Sequence, residues 1–338
     1  MDGEMPIHLR MKIASIERIT SVRHHPNADR LDLVSVLGYQ CVTTRDSFLV
    51  DQLIIFIQPD SVLPTDQSWA QPFLKYARPR VRAIQIRNEW SEGLILPLTD
   101  QTKNVQEGDS VAELLGIKHF EPTIVQDPTS ILGPLPFGIP KTDEERVENL
   151  QSNLPWNELV DVTKKIDGTS CSIYYSFPRK QFGVCGRNCE YDLSKSNQFS
   201  HIVSKYSFKE CLIPFCEEHR ISLVLRGELY GGGIQNKGHN LHCQQSLQWA
   251  MFSVYLFNEE NQSGRYARRK TDGLFYSINL AEHLHLPHVP IIATQIIFTQ
   301  ELIDHYSSQV DLAFGEGVVI QHDCGSFKII NKHYDAKN

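Results

Sequence analysis

The sequence lacks several features that would assign a protein to a class at once. No apolar run approaches about 18 residues, the length that predicts a membrane-spanning helix. The first residues, MDGEMPIHLRMK, contain no apolar core of the kind that signal peptides have. No internal repeat or low-complexity tract is present. We therefore expect an intracellular protein in the cytoplasm, with the nucleus or an organelle left open.

Paired cysteine motifs are also missing, since no two of the eight cysteines have Cys-x-x-Cys spacing. One group of cysteine and histidine residues could be considered for zinc, but its spacings fit no closed four-ligand pattern. Its members are Cys211, Cys216, His219, His239, His242 and Cys243. Reduced thiols in an intracellular protein are the favoured interpretation.

An excess of positive charge is absent as well. The 33 lysines and arginines are outnumbered by 40 acidic residues, which gives a net charge of −7. This balance argues against a protein that coats nucleic acid by bulk attraction, but it does not exclude a local basic groove. The length of 338 residues favours two domains, and the hydrophobic content of 41% is ordinary for globular proteins.

The first part of the chain is rich in short strand patterns. Residues 10–115 contain about five such runs, separated by turn signals such as His-Pro-Asn and Gln-Pro-Asp. This arrangement predicts a small closed β-barrel. Residues 116–140 hold five prolines and three glycines, which predicts a linker between domains.

Strand and helix patterns are mixed in the rest of the chain, which predicts an α+β domain over residues 141–338. Thr142 and Glu145 have the spacing of a capping box and predict a helix from about residue 143. Residues 197–220 carry apolar side chains near a spacing of 3.6 and predict one long helix.

The stretch DVTKKIDGTSCSIYYSF, residues 161–177, combines reactive side chains with a tight turn between two predicted strands. Lys165 is expected to point into a cleft, where neighbouring cations or desolvation would favour the neutral, nucleophilic amine. Asp167 offers a carboxylate for a metal or for orientation, and Gly168 would permit the close approach of a nucleotide. On these residues alone, an exposed polar hairpin is an equal alternative.

Later segments add to this motif in a fixed order. Arg187 follows a predicted strand in VCGRNCEYD, and Glu228 ends a strand before a glycine-rich turn in LVLRGELYGGG. An aromatic strand, WAMFSVYLFN, comes next, followed by Glu316 in FGEGVVIQ and Lys328 in SFKIIN. The ordered set resembles the covalent nucleotidyltransferase superfamily, which includes ATP-dependent ligases and mRNA capping enzymes. The resemblance extends over residues 140–338.

This resemblance implies a role for each matching residue. Lys165 matches the nucleophile that takes AMP from ATP, and Lys328 matches the lysine that grips the α-phosphate. Asp167, Glu228 and Glu316 match the carboxylates that hold Mg²⁺ or Mn²⁺ in the family, through bound water. The nucleotide-contacting residues are matched by Lys165, Gly168, Arg187, Glu228 and Lys328.

Two details of the match stay open. Tyr255 best matches the aromatic residue that stacks on the base, with Phe252 as the other candidate. Many relatives carry a second lysine two residues after the first, where this chain has Ile330. Lys332 is two positions too late, and whether it substitutes is left open.

The N-terminal region indicates which branch of the superfamily is involved. SVRHHPNADRLDLVSVLG resembles the start of the OB domains of tRNA-binding synthetase subunits. An OB domain ahead of the transferase domain resembles the RNA ligase family that includes the Deinococcus and Naegleria enzymes. The implied organisation is an OB domain at 1–115, a linker at 116–140 and a nucleotidyltransferase domain at 141–338.

The resemblance implies an ATP-dependent RNA ligase that joins 3′-hydroxyl and 5′-phosphate ends. Lysyl-AMP and an adenylylated 5′ end would be the intermediates, as in RNA repair. The expected partner is RNA, or a nicked duplex with RNA on the 3′-hydroxyl side, and a monomer is expected. Two alternatives are a GTP-using capping-type transferase and a catalytically inactive OB protein that binds tRNA or other RNA.

A basic stretch in the predicted barrel suggests where the nucleic acid binds. Five cations occur within thirteen residues without an acidic residue among them: Lys75, Arg78, Arg80, Arg82 and Arg87. Arg80 and Arg82 are predicted to alternate along a strand and share one face. Tyr76 and Trp90 lie nearby in the sequence, and cations with aromatics suit a single-strand groove. A solvated basic strand is the alternative.

Overall fold

A computed structural model of the chain describes residues 12–77, 80–120, 128–136, 138–142, 144–150, 153–234, 240–261, 263–323 and 325–337. The chain forms two compact units. The barrel unit comprises Met1–Pro122, Glu145–Leu154 and Lys332–Asn338. The second unit comprises Thr123–Glu144 and Pro155–Asn331, and we call it the ligase unit after the resemblance described above. The barrel unit thus includes two short segments that the sequence analysis assigned to the transferase domain.

The strands in chain order are β1 (Ala14–His24), β2 (Leu31–Val36), β3 (Tyr39–Thr44), β4 (Leu53–Ile57), β5 (Ser61–Val62), β6 (Ala83–Ile86), β7 (Glu89–Glu92), β8 (Leu94–Leu96), β9 (Lys118–His119), β10 (Ile131–Pro134), β11 (Glu145–Arg146), β12 (Leu159–Lys165), β13 (Thr169–Ser176), β14 (Gln181–Cys185), β15 (Cys189–Tyr191), β16 (Ser222–Tyr230), β17 (Gln248–Asn258), β18 (Ser263–Tyr266), β19 (Ile291–Ile297), β20 (Gly317–His322) and β21 (Gly325–Ile330).

The α-helices are α1 (Gln198–Lys205), α2 (Phe208–His219), α3 (Arg269–Asp272), α4 (Ser277–His283), α5 (Gln300–Ser307) and α6 (Lys332–Asp335). Short 3₁₀ turns occupy Pro128–Ser130, Val147–Asn149, Leu241–Gln244, Gly273–Phe275 and Leu312–Phe314. Among the described helices, none is long and apolar enough to cross a membrane.

The barrel unit confirms the predicted small β-barrel. Its main sheet has the antiparallel order β3-β2-β1-β4-β8, and the β6–β7 hairpin lies beside it. The backbone N–H of Val42 in β3 donates to the Ser91 hydroxyl of β7 at 3.0 Å, which helps to close the barrel. Apolar residues of β1 and β4, among them Ile16 and Ile55, are fully buried inside.

The ligase unit confirms the predicted α+β class, since it packs helices against antiparallel sheets. One sheet has the order β10-β15-β14-β13-β16-β17-β18, and a second contains β21-β20-β12-β19. Helices α1, α2 and α4 cover one face of the first sheet, where their apolar residues share a core with Trp249. That face is therefore occupied by packing, which leaves the opposite face of the sheet for chemistry.

The helix predicted from about residue 143 is wrong. Asp143 lies outside the described residues, but Glu145–Arg146 is a strand and Val147–Asn149 is a 3₁₀ turn. The Glu145 carboxylate accepts from the Asn149 side chain at 2.7 Å, and the Thr142 hydroxyl donates to Ser170. Both side chains of the predicted capping box are thus used elsewhere.

The single long helix predicted over residues 197–220 is in fact two helices. Asn197 caps α1 by accepting from the Ser200 backbone N–H at 2.8 Å. Between the helices, Ser207 adopts a left-handed conformation with φ of 50°, which interrupts the helical hydrogen bonds. The break lets α1 and α2 each present apolar residues to the same sheet.

Candidate active site

The turn after Lys165 connects the two sheets of the ligase unit. Lys165 is the last residue of β12, and Thr169 begins β13, but these strands belong to different sheets. The alternative of an exposed hairpin is therefore excluded. Asn240 donates from its side chain to the backbone carbonyl of Asp167 at 3.0 Å, which holds the turn. Asp167 itself is only 9% exposed.

Gly168 is required by close packing within the protein. A Cβ atom at this position would lie 2.4 Å from the Leu229 carbonyl oxygen and 2.9 Å from Cγ of Glu228. Real Cβ atoms essentially never come so near to backbone, so any side chain here would push the turn away from β16. The absence of a side chain at Gly168 therefore allows Glu228 to approach the Lys165 turn.

Glu316 contacts the predicted nucleophile directly. Lys165 Nζ donates to Glu316 Oε2 at 2.6 Å, and the two side chains are 22% and 21% exposed. The residue after Glu316, Gly317, has φ of +145°, and a Cβ there would lie 2.1 Å from the Ile329 carbonyl oxygen. Only glycine fits this combination of backbone and space.

Asn331 also fixes Glu316, and the sequence analysis missed it. Its backbone N–H donates to the Glu316 carbonyl at 2.8 Å, and its side chain donates to the Gly315 carbonyl at 3.1 Å. Asn331 is fully buried. A polar amide directly after the last strand is the signal that could have identified it.

The carboxylates around Lys165 control its protonation. Burial alone would lower the pKa of Lys165, but Glu316, Glu228 and Asp167 outweigh burial and raise this pKa above its ordinary value. Burial also raises the pKa of Glu228 to about 8, against the opposing effect of Lys165. The cluster by itself therefore keeps Lys165 protonated, and added positive charge would favour its neutral amine.

Lys328 lies on the same sheet face as Lys165. In the strand registers, Lys165 pairs with Gly317, and Gly317 pairs with Ile330. Lys328 is two residues before Ile330, so its side chain projects from the same face. Ile330, the position where the resemblance implies a second lysine, lies in line with Lys165 across Gly317.

Lys332 does not take over the missing position. Its Nζ donates to Glu92 Oε2 in the barrel unit at 2.7 Å, and the Glu92 side chain is only 4% exposed. Leaving that carboxylate buried without its partner would be costly. This ion pair assigns Lys332 a structural role in the barrel unit.

The structure places Phe252, and not Tyr255, beside the turn that follows Lys165. Phe252 is half-buried and packs in a small apolar cluster with Ile166, the residue that follows Lys165. Tyr255 is 8% exposed, and its core neighbours include Tyr174. The packing therefore makes Phe252 the nearer of the two aromatic candidates to Lys165.

Arg187 lies at the same end of the first sheet as Glu228. It occupies the turn between β14 and β15, two residues after Cys185, whose strand partner is Ser172. Ser170 of the same strand pairs with Glu228. Antiparallel pairing thus brings the half-buried Arg187 to the edge where Lys165 and Glu228 lie.

The predicted metal residues do not form a compact cage. Within the described ranges, no three histidine, cysteine or acidic side chains lie close enough to hold an ion jointly. The three carboxylates around Lys165 nevertheless provide oxygen donors, which fit Mg²⁺ or Mn²⁺ held through water. The zinc alternative receives no support from its described members, and His239 lies outside the described residues.

The structure corrects the role predicted for Arg80. Arg80 precedes β6 and its side chain is only 7% exposed. It pairs with Asp335 at 2.9 Å and with Asp60 at 3.1 Å, while Arg146 also pairs with Asp60 at 2.7 Å. Arg80 therefore belongs to a buried ion cluster of the barrel unit, which removes the basis for its predicted phosphate contact.

Other cations of the basic stretch remain accessible. Lys75 and Arg87 are exposed, Arg82 is half-buried, and Arg78 lies outside the described residues. Arg82 also precedes β6, so the predicted alternation along a strand does not occur. Lys75 Nζ lies 4.6 Å from the ring centre of Tyr76, a side chain that is 52% exposed.

Comparisons with known proteins agree with this architecture. A family model described as an OB-fold domain matches residues 13–98, and a model described as RNA ligase matches residues 158–332. The second match covers more than half of the chain, and the chain belongs to the RNA ligase family. A search of curated proteins found no match.

Solved structures of an RNA ligase from Naegleria gruberi are similar along nearly the whole chain. A mutant with AMP and Mn has 25% identity and a TM-score of 0.81, covering 97% of this chain and 99% of that one. A mutant with ATP and Mn has 27% identity and a TM-score of 0.80, covering 96% and 97%. A third, with PPi, gives the same values as the second. The predicted OB domain ahead of a ligase domain is confirmed.

Proposed function

We propose that this RNA ligase uses ATP and joins a 3′-hydroxyl to a 5′-phosphate through an AMP adduct on Lys165. The observation that carries the proposal is the contact of Lys165 Nζ with Glu316 at 2.6 Å in a cluster with Glu228 and Asp167. A half-buried lysine among carboxylates, at the junction of two sheets, suits a nucleophile whose proton is lost only when cations arrive.

In the first step, neutral Nζ of Lys165 attacks the α-phosphorus of ATP. A nitrogen–phosphorus bond forms, the bond to the bridging oxygen breaks, pyrophosphate leaves, and Nζ loses one proton to the solvent. Lys328, on the same sheet face, offers positive charge to the phosphate oxygens, where negative charge builds up in the transition state. The AMP then passes to a 5′-phosphate, and a 3′-hydroxyl displaces it.

Around the nucleotide, Arg187 and Glu228 are proposed to contact the phosphates and the ribose, with Phe252 against the base. Mg²⁺ or Mn²⁺ would be held through water by Asp167, Glu228 and Glu316, and would supply positive charge that lowers the pKa of Lys165. The similar Naegleria structures contain AMP or ATP together with Mn, which supports this choice of nucleotide and metal type.

The proposed nucleic-acid partner is RNA, or a nicked duplex with RNA on the 3′-hydroxyl side. The exposed Lys75 and Arg87, with the exposed ring of Tyr76, are the described residues of the basic stretch that suit a phosphate backbone and a stacked base. A role in RNA repair follows from joining such ends.

The test is incubation of the protein with α-labelled ATP or GTP and a divalent metal, followed by denaturing electrophoresis. We expect a labelled band with ATP, and we expect Lys165→Ala to abolish it. The matched control is Lys164→Ala, which removes the neighbouring lysine of the same strand. Labelling by GTP in place of ATP would favour the capping-type alternative, and equal labelling of Lys165→Ala would refute the nucleophile assignment.

A further inference from the structure

Strand β17 contains a β-bulge at Phe252. In its pairing with β16, Met251 lies opposite Gly227, and Ser253 lies opposite Arg226. Phe252 is therefore an extra residue without an opposite partner. Such bulges re-aim a side chain and leave backbone groups outside the regular ladder, and those groups need another partner when they are buried.

Gln321 of β20, in the other sheet, supplies that partner. Its side-chain amide donates to the Phe252 carbonyl oxygen at 2.7 Å. Gln321 is 9% exposed and follows Ile320, which is fully buried. Because a buried amide is costly unless its groups are hydrogen-bonded, the contact accounts for a glutamine at the end of this apolar run.

The other end of the Gln321 side chain is held as well. Its Oε1 lies 2.9 Å from the hydroxyl of Tyr276, which lies 2.6 Å from Asp161 Oδ2. Asp161 is 1% exposed and also accepts from Arg269 at 2.8 Å and from the Gln295 backbone N–H at 3.0 Å. The carbonyl of Phe252 is thus tied to a buried polar network that spans both sheets of the ligase unit.

We propose that Gln321 is a positioning residue that holds the bulge and thereby aims the Phe252 ring at the base of the bound nucleotide. This inference rests on the proposed function, in which Phe252 contacts the base. The amide nitrogen donates to Phe252, and the amide oxygen shares the single hydroxyl proton of Tyr276 with Asp161. Glutamate at this position would keep only the acceptor, and methionine would keep neither group.

The experiment measures the rate of lysyl-AMP formation against ATP concentration for Gln321→Met, Phe252→Ala and the double variant. The matched control is Gln300→Met, the same substitution at an exposed position of α5. For Gln321→Met we expect the ATP concentration at half-maximal rate to rise about ten-fold, equivalent to about 1.4 kcal/mol. The maximal rate should stay within about two-fold, because the groups around Lys165 are unchanged.

The double variant distinguishes positioning from general destabilisation. If Gln321 acts through Phe252, the double variant should bind ATP no more weakly than Phe252→Ala alone. The inference would be overturned if the two substitutions raised the half-maximal ATP concentration by factors that multiply in the double variant. It would also be overturned if Gln321→Met had the same half-maximal ATP concentration as Gln300→Met. Gln321→Glu should reproduce the methionine result and serves as the second variant if Gln321→Met does not fold.

Amide hydrogen exchange without nucleotide separates this inference from the proposed function. Gln321→Met should speed exchange in residues 248–258, whereas Gln300→Met should leave it unchanged. Unchanged exchange in Gln321→Met would overturn the inference even if the wild type is labelled by ATP. Faster exchange in a protein that ATP never labels would support the positioning of Phe252 and refute the proposed reaction.

Discussion

At the residue scale, Glu228 makes the stability of the ligase unit depend on pH. Its pKa is raised by burial to about 8, from an ordinary value of 4.5. Folding therefore takes up a proton between these values, so the stabilisation from protonated Glu228 is complete below pH 4.5 and is lost as pH rises through about 8. Lys165 does not change the stability between pH 4.5 and 8, because it is protonated in both the folded and the unfolded state there.

Glu228→Gln should remove that dependence. In a metal-free buffer, we expect the Tm of the wild type to fall from pH 5 to pH 8 by a few degrees more than that of the variant. Glu218→Gln, at an exposed position of α2, is the control and should follow the wild type. Parallel Tm profiles for wild type and Glu228→Gln would show that the carboxyl is ionised throughout.

Arg80→Ala tests the buried ion cluster of the barrel unit. The substitution leaves Asp60 and Asp335 without the guanidinium between them. Removing one partner of a buried ion pair costs about 3–5 kcal/mol, and chemical denaturation should show a loss of this order. Arg87→Ala, which removes an exposed arginine, should change stability by less than about 0.5 kcal/mol. Similar midpoints for the two variants would contradict the structural role of Arg80.

At the element scale, the turn between β12 and β13 depends on its glycine. Gly168→Ala would place a methyl group 2.4 Å from the Leu229 carbonyl, so the turn must move away from β16. We expect AMP labelling to fall at least about ten-fold, since small misplacements of reacting groups are costly. Gly133→Ala is the control, because a Cβ there meets nothing within 4 Å. Full activity of Gly168→Ala would show that the turn tolerates displacement.

Some elements were predictable because their signals are local. The alternation in LVDVTKK and TSCSIYYS predicts β12 and β13, and the positions of Lys165, Glu228 and Glu316 follow from the motif order. The capping box at Thr142 failed because other partners took both side chains, Ser170 for Thr142 and Asn149 for Glu145. The role of Arg80 was hidden because its partner Asp335 lies 255 residues away. Gln321 gave no signal, because its contact depends on a bulge in another strand.

At the scale of the whole molecule, the barrel unit uses segments from widely separated parts of the chain. Deleting residues 1–115 would leave 145–154 and 332–338 without the rest of their unit.

Surface variants are therefore a cleaner test of RNA binding than a deletion of the barrel. Lys75→Ala with Arg87→Ala should reduce nick sealing much more than AMP labelling. Each lost phosphate contact should also lower the salt dependence of duplex binding by about one unit.

The control for that pair is Lys103→Ala, which removes an exposed lysine outside the basic stretch. It should leave both labelling and sealing unchanged. Side-by-side assays on nicks with RNA or DNA at the 3′-hydroxyl measure both steps. Equal sealing by the double variant and the wild type would show that these cations are not part of the RNA site.

Removing residues 332–338 should destabilise the barrel unit, because Asp335 and Lys332 pair with buried Arg80 and Glu92. Thermal unfolding should show a Tm several degrees lower than that of the full chain. Asp335→Asn, which keeps the shape but removes the charge, should give part of the loss. An unchanged Tm on removal of the segment would show that the barrel is stable without it.

The pairing of Arg80 with Asp335 also determines when the barrel unit can be completed during synthesis. A ribosome adds about 5–20 residues per second, so the 255 residues that separate the two take roughly 13–50 s to emerge. For that interval the nascent barrel carries Arg80 without one of its two carboxylate partners. The ligase unit, which ends at Asn331, is fully synthesised before Asp335 is made. The barrel unit, which begins to emerge before the ligase unit, is thus completed after it.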